Sequence, residues 1–263
     1  MPTTKTRRPG TKAGAPPPTR MTLAEAMAAL EKGGSAQTKK TYARHGASEP
    51  MFGTSFATIA TIVKRAGVDQ DLALALWETG NFDARNLAFK VADPSRMKVS
   101  DLERWARETK VGMSHWFVGM LAAEGPKGLE AATRWLASSD EGLRSSGWRV
   151  VQQLAGRDEK VPDAWFEERL AEIERTIRTA PNALRDPMNT ALISIGGRSP
   201  ALRKAALAAS KRIGKVEVDH GDTSCKTPEA APYVEKMWAH AKAKGYDSPS
   251  AQERDRKPPR TRC

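Results

Sequence analysis

An all-α chain built as a superhelical solenoid of antiparallel helix pairs is the fold class that the sequence predicts. Three observations carry it. Apolar residues recur at helical spacing almost everywhere from residue 54 onward. Alternation of the kind a half-buried strand needs is missing, "KVEVD" being the one short and isolated candidate. Prolines also punctuate the chain at short intervals, each ending one helix or opening the next.

Taken in order, helices are predicted near 22–31, 37–44, 54–66 and 70–79. The next, 82–92, carries Ala84, Leu87, Ala88 and Val91 at i, i+3, i+4 and i+7 and stops before Asp93-Pro94. Helices near 100–109, 113–123 and 127–137 lead to 140–154, whose stripe is Leu143, Gly147, Val150, Val151 and Leu154. Phe166, Leu170, Ile173 and Ile177 define 162–179, which ends at Ala180-Pro181. Asp186-Pro187 opens 187–195, with Met188, Ala191, Leu192 and Ile195 facing inward and Asp186 as its cap. Ser199-Pro200 opens 200–212, and Thr227-Pro228 opens 228–243.

Short loops join these helices in pairs: 70–79 with 82–92, 100–109 with 113–123, 127–137 with 140–154, 162–179 with 187–195, and 200–212 with 228–243. Units of roughly 30–40 residues are the sequence look of a HEAT-like solenoid, whose concave face suits a long ligand such as a duplex. No sharp repeat consensus is visible, and a compact all-α bundle is the competing arrangement.

The 263 residues are 39% apolar with a formal charge of +12. Residues 1–20 contribute +5 and residues 251–263 contribute +3, leaving residues 21–250 at about +4. Both ends are rich in Pro, Gly and Thr, so 1–20 and 247–263 are predicted to be disordered basic tails flanking one domain over 21–246. Such tails serve either as electrostatic arms toward phosphate or as solubilising segments. The two cysteines, Cys225 and Cys263, make no disulfide framework, and no apolar run approaches a membrane span. A soluble, intracellular, cytoplasmic monomer is expected.

"VEVDHGDTSC", residues 216–225, gathers Asp219, His220, Asp222 and Cys225 within seven positions. A metal site would use such donors, but the paired Cys or His spacing of closed zinc sites is missing. Gly214 and Gly221 mark turns on a segment between two helices, where short Asp and Thr side chains satisfy loose backbone amides. The stretch is therefore read as a structured connector, with no metal and no cofactor expected.

Three stretches together resemble the DNA alkylation repair family of HEAT-like-repeat proteins, over roughly 45–245. They are "HGASEPMFGTSFATIATIVKRAGVDQDLALALWETGNFDARNLAFKVADP" (45–94), "NALRDPMNTALISIG" (182–196) and "KRIGKVEVDHGDTSCKTPEAAPYVEKMW" (211–238). The resemblance implies a solenoid that cradles duplex DNA, bound through alkylated lesions, and hydrolysis of the N-glycosidic bond of purines alkylated at N3 or N7. Alkylation makes the base a cationic leaving group, so the protein need only hold the duplex and stabilise positive charge on the sugar. In active members an aromatic is followed four positions later by Asp on the helix matching 113–123. Here that helix reads "VGMSHWFVGMLAAEG": it offers Trp116, His115 and Phe117, and either Phe117 or Met120 replaces the carboxylate.

The candidate catalytic residues are thus Trp116, His115 and Arg144, with core packing as the other reading of the aromatics and a satisfied buried or surface histidine as that of His115. Arg144 stands where the resemblance implies a basic residue facing DNA, unless the adjacent Ser145 holds that position; it shares a helix face with Trp148. Arg149 is the weaker choice, and Asn189 and Arg85 complete the candidate DNA contacts, although acids near Arg85 such as Asp83 also fit a solvated face. The readings carried forward are a glycosylase, a non-catalytic DNA-binding solenoid and a protein-interaction scaffold.

Overall fold

The structure is a computed structural model that describes residues 20–256. Among them are fourteen α-helices: α1 (Leu23–Lys32), α2 (Ala36–Arg44), α3 (Phe56–Ala66), α4 (Gln70–Glu78), α5 (Phe82–Val91), α6 (Val99–Glu108), α7 (Gly112–Glu124), α8 (Gly128–Leu136), α9 (Glu141–Arg157), α10 (Asp163–Thr176), α11 (Asn182–Gly196), α12 (Pro200–Ile213), α13 (Ala230–Ala243) and α14 (Pro249–Arg254). No strand occurs among these residues, and "KVEVD" is irregular; one isolated bridge joins Gly34 to Thr54.

Local chemistry starts the helices where short polar residues stand. Thr22 and Glu25 form a reciprocal capping box on α1, and Ser35, Ser55, Asp69, Asn81, Asp140, Ser199 and Ser248 each accept a first-turn N–H. Such caps are typically worth ~1 kcal/mol each.

The antiparallel pairs α4–α5, α6–α7, α8–α9, α10–α11 and α12–α13 all form, and α5, α7, α9, α11 and α13 pack successively into an inner row. This is a superhelical solenoid of HEAT-like pairs. Glycines set the spacing of the row. A Cβ on Gly119 of α7 would lie 2.4 Å from the Arg149 Cβ of α9, and one on Gly196 of α11 would lie 2.9 Å from Val234 of α13. Between the layers, Trp77 and Trp105 stack with centroids 4.2 Å apart, and Phe89 meets both edge-on. Stacked or edge-on pairs add ~0.5–1.5 kcal/mol beyond their buried area.

Three expectations are corrected. α11 begins at Asn182 rather than 187, so Pro187 lies inside the helix and Asp186 caps nothing. Pro187 removes one backbone donor, and the helix tolerates it near its first turns. Residues 249–254, placed by composition in an unstructured tail, form α14. Its order comes from tertiary contacts: buried Ser250 donates to Ala155 O (3.0 Å) and Gly197 O (3.1 Å), and Arg157 pairs with Glu253. Residues 1–19 and 257–263, most of the two predicted tails, lie outside the described residues. Asp83, read as part of a solvated face, is fully buried. It accepts the backbone N–H groups of Phe52 (2.6 Å), Gly53 (3.0 Å) and Thr54 (2.7 Å), and so pins the 51–54 turn ahead of α3.

Candidate nucleic-acid interface

The helix that should bear the carboxylate is α7. Its positions 115 and 119 face α9: His115 Nδ1 lies 3.0 Å from Ser146 Oγ, and Gly119 abuts Arg149. Phe117 faces α5, stacked on Phe89 at 5.3 Å and beneath Lys90 Nζ at 4.9 Å. The remaining side carries Trp116, Met120 and Ala123 at i, i+4 and i+7. Trp116 and Ala123 are partly exposed there, while Met120 is buried between them. The register that would have placed an acid at position 120 therefore holds a buried thioether, and Phe117, the other register, is core.

His115 is 8% exposed and its ring is already paired with Ser146. Burial pushes its pKa down to about 4, and the nearby Arg149 charge adds to this against a weaker opposing pull from Asp140. It is a neutral, satisfied core histidine, which corrects its place among candidate catalytic groups. Trp148 is 1% exposed, so its ring presents no face to a ligand, and no cation sits over it among the described residues. Asn189 is 1% exposed and donates Nδ2 to Pro228 O at 2.9 Å. Both are structural rather than DNA-facing, because α9 and α11 are enclosed by neighbours on those sides.

Arg144 stays partly exposed and makes no ion pair among the described residues. At 100° per residue it lies about 160° around α9 from Gly142 and Ser146, the positions turned to α7. The structure therefore does not bring Trp116, His115 and Arg144 together. Arg85 is held over Trp77 (4.4 Å) and pairs with Glu108 at 2.8 Å, so its guanidinium is committed to the fold. Glu124, the last residue of α7 and its one acid, pairs with Arg157 at 3.2 Å.

What the sequence reading ranked low is the cation that bridges the inner row. Arg149 packs against Gly119 of α7, reaches Gln152 and pairs with Asp186 of α11 at 2.5 Å; the two side chains are 11% and 32% exposed. Thr190 Oγ1 donates to the Asp186 carbonyl at 2.8 Å. Basic residues five positions apart, at 144 and 149, look alike in a sequence, and only the helix crossing separates them.

The 214–229 connector is built from turns. Gly221, at φ +58°, donates its N–H to Asp219 Oδ1, and Thr223 Oγ1 donates to His220 O. His220 Nε2 lies 2.9 Å from Thr227 Oγ1, and Cys225 is exposed. Asn182 exchanges two 2.8 Å bonds with the Asp219 backbone, and Arg185 donates to Glu217 O. With Asn189, these residues form an i, i+3, i+7 stripe of α11 that clamps the connector. Among the described residues no three His, Cys, Asp or Glu side chains stand together as a metal-ion cluster.

The sequence profile of the family described as DNA alkylation repair enzyme matches residues 26–233. Uncharacterized proteins of Listeria innocua and Listeria monocytogenes are 27% and 28% identical over 205 and 206 residues, 76% of this chain and 89% of each relative. A solved structure from a family related to the HEAT-like repeat DNA glycosylases, with affinity for branched DNA structures, is also similar. Its TM-score is 0.76 at 29% identity, over 84% of this chain and 95% of that one. On these matches, which span most of its length, the chain belongs to the DNA alkylation repair enzyme family.

Proposed function

We propose that the protein is an intracellular DNA-binding member of its family that holds DNA along the inner row of helices without excising bases through a carboxylate on α7. The observation that carries this reading is the α7 stripe, where buried Met120 stands between Trp116 and Ala123 and the one acid of the helix, Glu124 at its end, is paired with Arg157. Without a carboxylate beside the sugar, the developing positive charge has no counter-ion there. A relative with affinity for branched DNA structures, 29% identical, supports DNA as the ligand.

A second reading, hydrolysis of the N-glycosidic bond of N3- or N7-alkylated purines, draws on family membership and on Asp186. That carboxylate reaches the inner row from α11 and is 32% exposed, although Arg149 neutralises it.

One experiment separates them. The full chain is incubated with duplex DNA carrying N7-methylguanine, and free base is measured against the spontaneous rate, alongside binding to paired and branched DNA over a salt series. Salt-dependent binding with no excess release supports the first reading. Release above background that Asp186→Asn abolishes establishes the second. No binding even at low salt overturns both and favours a protein-interaction scaffold.

A further inference from the structure

A cavity of ≈690 Å³ opens where α9, α11, α13 and α14 meet, away from the α7 stripe. Its volume lies within the ~300–1,000 Å³ typical of small-molecule sites. α13 turns Tyr233, Lys236, Met237 and His240 toward it, at i, i+3, i+4 and i+7. That spacing normally seats a helix on a core, yet here the stripe faces open space and Tyr233 is 46% exposed. Opposite, Gln153 of α9 lines the wall. It is 8% exposed, yet its amide makes no hydrogen bond within the described residues. Its amide is open to the cavity, so its donor and its acceptor are both available to one ligand edge.

The wall formed by α14 is fixed. Ser250 ties it to α9 and α11, and Tyr246 donates its hydroxyl to Asp255 at 2.7 Å. The two acids of the lining are engaged, Glu253 by Arg157 and Asp255 by Tyr246, while Lys236 makes no ion pair. The cavity thus combines an exposed aromatic face, an apolar floor at Ile193 and Met237, an amide open to the cavity, and an ammonium without an ion pair one turn from the ring.

We propose that this cavity receives a single unpaired nucleotide of a DNA strand, its base stacked on Tyr233 and read by the Gln153 amide, its phosphate met by Lys236. Each feature has its counterpart: π-face for ring, amide for base edge, cation for phosphate. Branched or bulged DNA supplies such nucleotides without the unpairing cost that an intact duplex imposes. The inference rests on the DNA-binding reading above and deepens it.

The test compares the full chain on two duplexes, one fully paired and one with a single bulged 2-aminopurine nucleotide. Affinity is read by anisotropy, and stacking by 2-aminopurine emission. A preference of about tenfold for the bulged duplex, with quenched emission, is expected. In Tyr233→Ala, and separately in Gln153→Leu, the ratio of the two affinities falls to near one and emission recovers. Tyr233 lies on the surface, so its variant tests the site without unfolding the chain. Equal affinity for the two duplexes, or a preference that both variants retain, overturns this assignment alone. Absence of binding to either duplex overturns it together with the DNA-binding reading. Saturable binding of free dAMP with no preference for the bulged duplex overturns the assignment to a DNA strand.

Discussion

His115 and Arg144 each carry a test of their own, one on stability and one on DNA binding. His115 titrates at about 4 in the folded chain against 6.5 for the unperturbed imidazole, so the unfolded state binds more protons between those values. Stability is therefore flat above pH 7, falls as pH drops from 6.5 to 4, and levels off below that. The full loss is about 3 kcal/mol at 1.36 kcal/mol per pKa unit. Urea midpoints at pH 7.5, 5.5 and 4 measure it, and His115→Gln removes most of the slope; a slope retained in that variant means that other groups carry it. Arg144, partly exposed and without an acidic partner, belongs to the interface only if it meets a phosphate. Arg144→Ala is expected to lower DNA affinity and reduce the salt slope by ~1. An unchanged slope removes Arg144 from the interface.

At the scale of elements, small groups at crossings decide how the inner row packs. Gly119 lets α7 approach α9 so closely that an added Cβ would lie 2.4 Å from one side-chain carbon and 2.9 Å from the Arg149 carbonyl carbon. The backbone cannot rotate away as a side chain can, so Gly119→Ala is expected to destabilise by roughly 1–3 kcal/mol or more. A variant within 0.5 kcal/mol of the parent would show that the crossing is loose. Asp83 plays a comparable part for the 51–54 turn. Asp83→Ala leaves three backbone donors without their acceptor and is expected to cost at least ~3 kcal/mol in urea unfolding. Asp83→Asn keeps one acceptor oxygen and costs less. The stripe Asn182, Arg185 and Asn189 ties two separated motifs of the chain to each other. "NALRDPMN" is the clamp and the connector from Glu217 to Pro228 the chain it holds, so two of the three stretches that carried the family resemblance form one physical unit.

For the whole molecule, charge sits mainly outside the described fold. Residues 1–19 and 257–263 hold seven of the twelve excess positive charges. Deleting residues 1–20 and 257–263 is expected to weaken binding to paired and bulged DNA by the same factor and to shallow the salt dependence. The bulge preference should survive, because the cavity lies within the described helices. A truncated chain that binds paired DNA as the full chain does would assign the tails a role other than electrostatic attraction.

The sequence by itself determined the helical class, the pairing of neighbouring helices and the family. Each rests on local information: apolar period, capping residues, proline stops and short motifs. The tertiary structure alone decided which polar residues are accessible. Arg144 and Arg149 are five positions apart on one helix, yet one is left without an acid and the other bridges three helices. Asp83, His115 and Asn189 look like surface chemistry in the sequence and are core groups, each satisfied by a partner in a distant segment. Order in α14 likewise depends on carbonyls about 50 and 95 residues away. Helix periodicity reports only that a residue faces some neighbour. Which neighbour it meets, and whether that contact leaves a group open to a ligand, is set by crossings between helices far apart in the chain.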